Sequence, residues 1–169
     1  GETAPTMSKP HRAVFERLEG PVGAVMLDTP FGFQENADDL VEKSLEYFQQ
    51  SVGHTVTAAG RRRTDGEDLA VETALAKIRT ADWVFAGPGS PTYALRQWKD
   101  TPVPAAMTEK LATGGATVFS SAAALTIGLR TVPVYEVYKV GMEPFWLEGL
   151  DLLSAIDLPV SVIPHYDNN

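Results

Sequence analysis

Short apolar runs alternate along this chain with longer stretches of helical periodicity. Apolar or β-branched runs at residues 22–27 (VGAVML), 54–58 (HTVTA), 82–86 (DWVFA) and 117–119 (TVF) predict buried strands. Residues 159–163 (PVSVI) predict a last strand, which Pro164 would end.

The helical stretches lie between these runs. Residues 36–52 give the clearest helix, with an apolar stripe at the 3.6-residue period formed by Ala37, Leu40, Val41, Leu45, Phe48 and Val52. Gly53 supplies its stop signal. Further helices are predicted at residues 67–80, 91–98 and 104–113, and a last one directly after Ser120-Ser121.

Alternation of strands and helices predicts an α/β fold, a doubly wound and mostly parallel sheet with helices on both faces. Residues 1–169 are expected to form a single domain, since this length suits one α/β core. Ligands of such sheets bind beyond the carboxyl ends of the strands. The search for chemistry therefore concentrates on the residues that follow each strand.

Composition narrows the classes of function. The net charge of −8 argues against nucleic acid and anionic membranes as partners, and no apolar run reaches the length of a membrane span. The chain has no cysteine, and its three histidines lack metal-ligand spacing, so neither a metal nor another cofactor is expected. A cytoplasmic location is consistent with the lack of cysteine and of an apolar leader at the start. The basic cluster Arg61-Arg62-Arg63 is either a solvated loop or an anion or partner site.

Four predicted strand ends carry residues suited to chemistry. They are residues 28–32 (DTPFG), residues 87–92 (GPGSPT), Ser120-Ser121 and Pro164-His165-Tyr166. A serine, a histidine and a glycine-rich turn on one rim are the components of a nucleophilic hydrolase site.

Ser121 can be interpreted in two ways. A sharp strand–serine–helix elbow would expose its hydroxyl and aim backbone N–H groups at an oxyanion. Such elbows have glycine two residues before and after the serine, where this chain has Phe119 and Ala123. Alternatively, Ser120 caps the helix and Ser121 lies in its first turn. His165 can likewise be interpreted as a surface residue. The glycine-rich turn can be interpreted as a plain loop, in which Ser90 caps the next helix.

The order of these segments resembles a known family. A strand followed by GPGSPT, a strand between Gly114-Gly115 and the SSAAA segment, then GLDLL and PHY all occur in one chain. This order resembles the alpha-aspartyl dipeptidase (peptidase E) and cyanophycinase family of serine peptidases, within the class I glutamine amidotransferase-like fold. The resemblance covers most of the chain and is strongest from Asp82 to Asp167.

The resemblance implies specific roles. Ser121 matches the family nucleophile, His165 the family histidine, and Glu136 an acidic position of the family, although a glutamate beyond residue 169 is an alternative. The oxyanion and substrate-binding residues would come from Gly87, Gly89, Ser90 and Ala122. The segment GETAP at the start looks like the family's GGGE segment. The family's first strand would then precede Gly1, and its last elements would follow Asn169.

Two functions remain open from the sequence. The first is a serine hydrolase or peptidase acting on short acidic peptides or amides through Ser121, with Arg96, Lys139 or Arg130 available to pair a substrate carboxylate. The second is a catalytically inactive or repurposed amidotransferase-like domain that binds a small molecule or a protein partner, which the replaced elbow glycines favour. Tyr138, Phe145 and Trp146 indicate either a homodimer surface or core packing.

Overall fold

The computed structural model describes residues 3–60, 62–63 and 68–165 of the chain. The strands are Ala24–Leu27 (β1), Thr57–Ala58 (β2), Trp83–Ala86 (β3), Ala116–Phe119 (β4), Arg130–Thr131 (β5) and Leu147–Glu148 (β6). The α-helices are Ser8–Phe15 (α1), Ala37–Tyr47 (α2), Asp68–Thr80 (α3), Pro91–Trp98 (α4), Val103–Ala112 (α5) and Ser121–Thr126 (α6). Short 3₁₀ segments occupy Pro5–Met7, Thr29–Phe31 and Leu152–Ile156, and π-helical turns occupy Phe48–Val52 and Glu136–Val140.

Four parallel strands form the main sheet in the order β2-β1-β3-β4. Ala24 pairs with Trp83, which pairs with Ala116 in turn, so the first residues of β1, β3 and β4 are level. The carboxyl ends of these strands therefore reach the same edge of the sheet. The architecture is the α/β, doubly wound and mostly parallel sheet that the alternation of elements predicts.

Alternate strand residues supply two separate cores, one on each face of the sheet. Met26 of β1 and Phe85 of β3 pack with Phe48 and with Phe15 of α1. Leu27 and the other odd positions of β1 pack on the opposite face, against α3, α4 and α5. Successive side chains of a strand point to opposite faces of the sheet, and both faces are covered. The strands therefore appear in the sequence as continuous apolar runs.

Helix α1 lies outside the elements that the hydrophobic pattern predicts. Its composition is polar on average, yet two of its side chains are buried: His11 and Phe15 are each 2% exposed. The His11 ring lies edge-on to Phe48, with ring centroids 5.1 Å apart, and Phe15 stacks on Trp83 at 4.7 Å. These two buried rings thus help to dock the helix on the sheet.

The predicted helices are confirmed, with small changes at their ends. The helix predicted at 36–52 begins at Ala37, and its last turn, Phe48–Val52, widens to a π-helix. Gly53 ends it at a φ of 86°, a left-handed conformation that glycine adopts readily. The strand predicted at 54–58 shortens to Thr57–Ala58, at one edge of the sheet. Glu67, the first residue of the second predicted helix, lies outside the described residues.

The prediction of a strand at residues 159–163 is wrong. The structure has no strand there, and four of the five residues are exposed rather than buried. The Val160 carbonyl accepts a hydrogen bond from Leu129 N–H at 2.9 Å, while the Val160 N–H turns back to Leu158 O at 2.8 Å. The segment is thus held by the turn before β5 and does not extend the sheet beyond β4.

Arg62 of the basic cluster is held by carboxylates. Its Nε donates to Asp28 at 2.8 Å, and its second guanidinium nitrogen donates to Asp38 at 2.7 Å. Burial lowers the pKa of Arg62, but the bonds to Asp38 and Asp28 outweigh it, so this pKa lies above its ordinary value. This guanidinium is therefore already neutralised by the chain's own carboxylates. Arg61 lies outside the described residues.

Residues beyond α6 form a smaller annex. Strands β5 and β6 pair antiparallel, and Leu152 buries its side chain in the core on the α5 side of the sheet. Tyr138 and Trp146 are exposed and Phe145 is half-buried, so core packing does not account for the first two. The dimer surface stays a prediction. Across the described residues, none of the helices has the length and apolar character needed to cross a membrane.

Candidate active site

Ser121 occupies a strained turn between a strand and a helix. Strand β4 ends at Phe119, Ser120 is still extended (φ −131°, ψ 157°), and Ser121 has a φ of 50°. A non-glycine residue in the left-handed region costs about 1–2 kcal/mol and is concentrated at functional sites. The backbone at Ser121 is therefore that of an elbow and not that of an ordinary first helical turn.

Hydrogen bonds from the neighbouring strand hold this elbow. Ser120 N–H donates to Ala86 O at 3.0 Å, which extends the pairing of β3 with β4. Ala123 N–H lies 3.2 Å from Gly87 O and 3.1 Å from Ser120 O. The expected cap from the Ser120 side chain is absent, and within the described part of the chain its buried Oγ has no hydrogen-bond partner. Ser120 thus occupies the N-cap position of α6 without capping the helix through its side chain, and Ser121 begins the helix in a left-handed conformation.

His165 lies against the serine. Its Nε2 is 3.1 Å from Ser121 Oγ, a hydrogen-bond distance, although 44 residues separate the two in sequence. His165 also has a positive φ, 64°, so the chain turns sharply to bring its ring to the elbow. Tyr166, the next residue of the predicted motif, lies outside the described residues.

The glycine-rich turn after β3 lies beside Ser121 and His165. Gly89 has a φ of 141°, and a Cβ there would collide with the carbonyl oxygen of Pro30 and lie 2.8 Å from Phe31 N. Only glycine fits this close approach of two loops. Ser90 fulfils its predicted role as a cap, with its Oγ accepting a hydrogen bond from Tyr93 N–H at 3.1 Å.

Two backbone N–H groups near the serine remain available. Ala122 lies in the first turn of α6, where N–H groups have no carbonyl partner within the helix. Within the described part of the chain, Gly89 N–H donates to none of the backbone carbonyls. Both residues line the cavity that contains Ser121 and His165. Ala122 and Gly89 are thus the predicted oxyanion residues that the structure brings to the serine.

This cavity has a volume of about 580 Å³. Its lining residues are Gly89, Ser121, Ala122, Leu125, Val134, Tyr135, Tyr138, Lys139, Ile163, Pro164 and His165. Gly87 and Ser90 are absent from this lining: Gly87 supports α6 through its carbonyl, and Ser90 caps α4. Of the three basic residues considered for a substrate carboxylate, Lys139 lines the cavity, and Arg96 and Arg130 do not.

Glu136 lies in the π-helical turn that carries Tyr138 and Lys139. It is not one of the cavity's lining residues, but its Oε2 is buried and has no hydrogen-bond partner among the described residues. Buried carboxylate oxygens are nearly always hydrogen-bonded. The unpaired oxygen marks Glu136 as a group that still requires a donor.

The residues that replace the elbow glycines are accommodated without loss of the turn. Phe119 packs against the core on the α5 side of the sheet, and Ala123 is fully buried. The elbow is therefore compatible with a large side chain at position 119, provided that the side chain points into the core. Groups of three or more potential ligands for a metal ion are absent from the described residues.

Known proteins resemble this chain in fold and not detectably in sequence. Neither the models of protein families nor the curated proteins give a match. Among solved structures, a peptidase from an acI-B1 Actinobacterium superposes with a TM-score of 0.74 at 17% identity over 99% of this chain. A candidate peptidase E from Listeria monocytogenes EGD-e superposes with a TM-score of 0.60 at 20% identity over 93% of this chain.

These structures are longer than the chain. The chain spans 66% of the length of the Actinobacterium peptidase and 74% of the Listeria protein. At these identities the superposition establishes the architecture alone. The chain thus shares the α/β fold of these peptidases.

Proposed function

We propose that the chain is a serine hydrolase of the peptidase type, with Ser121 as its nucleophile and His165 as its general base. One observation carries the proposal: a serine in a left-handed turn, at φ 50°, whose Oγ lies 3.1 Å from an imidazole nitrogen. Nucleophile and base within hydrogen-bond reach are the signature of an activated serine. The peptidase fold of the neighbouring structures supports the same reaction class.

The reaction follows the usual sequence for such a pair. Nε2 of His165 takes the proton from Ser121 Oγ as the oxygen attacks the carbonyl carbon of an amide. The N–H groups of Ala122 and Gly89 are the donors for the oxyanion that forms. The C–N bond then breaks, the imidazolium returns its proton to the leaving amine, and an acyl ester remains on Ser121. Attack by water, with His165 again as base, releases the acid and restores the serine.

Glu136 is the proposed acid of the triad. Its buried and unpaired Oε2 suits a carboxylate that accepts a hydrogen bond from an N–H group when the site is assembled. Its part would be to orient the ring of His165 and to stabilise the imidazolium. Glu136→Gln should then lower the rate of hydrolysis with little effect on the binding of substrate.

A hydrolysis assay with paired serine variants tests the proposal. The protein is incubated with a mixture of dipeptides and tripeptides and, separately, with a p-nitrophenyl ester. We expect release of free amines and nitrophenol, a loss of about a thousandfold or more in Ser121→Ala, and near-normal rates in Ser120→Ala. Equal rates in the two variants would contradict Ser121 as the nucleophile. No hydrolysis of any substrate would favour the alternative, an inactive domain that binds its ligand without cleaving it.

A further inference from the structure

We propose that the cavity beside Ser121 selects short peptides whose C-terminal residue has an apolar or aromatic side chain and a free α-carboxylate. This proposal rests on the proposed function and specifies the substrate class of the same site. It differs from the expectation, drawn from the sequence, that the substrates are short acidic peptides or amides. The argument comes from what lines the cavity.

The walls of the cavity are mostly apolar. Leu125 is 2% exposed and forms a buried base, and further wall residues are Val134, Tyr135, Tyr138, Ile163 and Pro164. An acidic side chain placed against these apolar groups would lose its hydration without gaining a polar partner among them. An apolar side chain is stabilised there in proportion to the apolar area that it removes from water. The lining therefore favours apolar groups next to the nucleophile.

Two large side chains on this wall are unusually exposed. Tyr138 is 81% exposed and Ile163 is 65% exposed, although both border a concave site. Tyr135 packs against a further aromatic ring. Its ring centroid lies 6.0 Å from that of Phe33, which in turn lies 5.1 Å from the ring centroid of Tyr93. Exposed apolar side chains gathered at the mouth of a cavity are typical of a ligand-binding surface.

Lys139 supplies the complementary charge. It follows Tyr138 directly in the π-helical turn and makes no ion pair within the described part of the chain. The described lining contains no aspartate or glutamate. A cation beside an apolar wall matches an amino acid that carries an apolar side chain and a carboxylate on one carbon atom. A cavity of about 580 Å³ suits a dipeptide or tripeptide better than a long chain.

Binding to an inactive protein tests this selection separately from catalysis. The Ser121→Ala protein is titrated by NMR with Ala-Phe, Ala-Leu, Ala-Ser, Ala-Asp and Ala-Phe amide. We expect Ala-Phe and Ala-Leu to bind about tenfold more tightly than Ala-Ser and Ala-Asp, because burying a larger apolar side chain contributes that much. Ala-Phe amide should bind about fivefold more weakly than Ala-Phe, since it lacks the carboxylate.

Two variants test separately the apolar contact with Tyr138 and the charge contact with Lys139. In the Ser121→Ala background, Tyr138→Ala should remove about fivefold of the preference for Ala-Phe over Ala-Ser. Lys139→Gln should abolish the difference between Ala-Phe and its amide. The controls remove a remote exposed apolar group and a remote cation, Leu69→Ala and Lys43→Gln, and should change neither ratio.

The outcomes separate the two proposals. If Ala-Asp or Ala-Ser binds as tightly as Ala-Phe, or if none of the five peptides binds, the substrate class is overturned. That result leaves the hydrolase proposal to the assay with the Ser121→Ala and Ser120→Ala variants. If Ala-Phe binds as expected but the unmodified protein cleaves neither it nor the ester, the hydrolase proposal fails and the site is one that binds peptides.

Discussion

Ser121 Oγ and His165 Nε2 lie 3.1 Å apart, and both residues have a positive φ, 50° and 64°. Two left-handed turns, 44 positions apart in the chain, thus aim a hydroxyl and an imidazole at each other. Non-glycine residues seldom adopt this conformation, and each instance costs free energy that the surrounding structure must supply. At the elbow, this free energy comes from the pairing of β4 with β3 and from the hydrogen bond that Ala123 N–H donates to Gly87 O.

The strain at Ser121 can be measured by comparing two inactive variants. Ser121→Gly and Ser121→Ala both remove the hydroxyl, but only glycine adopts φ 50° without a steric penalty. We expect Ser121→Gly to have a free energy of unfolding about 1 kcal/mol higher than Ser121→Ala, measured by urea denaturation. A Ser121→Gly protein less stable than Ser121→Ala would indicate that the turn carries no strain, because glycine otherwise loses more backbone entropy on folding.

The close approach at Gly89 gives a second prediction. In Gly89→Ala, the new Cβ would meet Pro30 O and the backbone at Phe31, so the two loops beside the serine must separate. We expect a loss of about 2–4 kcal/mol in the free energy of unfolding and a large loss of hydrolysis. Gly114→Ala is the matched control, because Gly114 also has a positive φ but faces open space, and it should cost only about 1 kcal/mol. Similar losses for both variants would contradict the packing argument.

The strands, the glycine-rich turn and the start of α4 could be predicted from sequence because they depend on local patterns. Apolar runs followed by glycine or serine identify the carboxyl ends of β3 and β4, and Ser90 before Pro91 identifies the start of α4. Helix α1 could not be found in this way. Its docking depends on two rings, His11 and Phe15, whose partners are distant in sequence.

The region after α6 is the least predictable from sequence, also for a physical reason. PVSVI has the composition of a strand, but Pro159 and Pro164 remove backbone donors at both ends, and Val160 bonds to the turn before β5. Part of the wall of the cavity, Tyr138 and Lys139, comes from the π-helical turn at Glu136–Val140, whose sequence gives no clear period. Of its residues, the sequence singles out Glu136 as an acidic position and Lys139 as a partner for a carboxylate, but Tyr138 only as a surface or core residue.

The buried carboxylate of Asp28 gives a third prediction. Asp28 is fully buried, and it accepts hydrogen bonds from Gly60 N–H at 3.1 Å and from Arg62 Nε at 2.8 Å. Asp28→Asn weakens the bond to Arg62, and we expect the free energy of unfolding to fall by about 1–2 kcal/mol. Asp38 binds the same guanidinium, but its side chain is 90% exposed, so Asp38→Asn should cost less than about 0.5 kcal/mol. A larger effect at Asp38 would show that burial does not decide the contribution of these pairs.

An ion pair between α4 and the annex gives a prediction about acidity. A hydrogen bond from Lys99 at 2.5 Å, the charge of Lys99 and the charge of Arg130 hold the pKa of Glu148 below its usual range. The pair is therefore formed at neutral pH and is lost only as the pH falls through this lowered pKa. Lys99→Met should raise the pKa of Glu148 toward its ordinary value, as followed by carboxyl ¹³C NMR. An unchanged pKa would mean that the pair does not form in solution.

The most direct test of the central claim is covalent labelling with a fluorophosphonate, with the adduct mapped by mass spectrometry. The account predicts a single adduct on Ser121, and a labelling rate at least about a hundredfold lower in His165→Ala, because the histidine makes the serine nucleophilic. Ser120→Ala should label at the normal rate. A protein that folds normally but gives no adduct on Ser121, or labels equally fast without His165, would contradict the account.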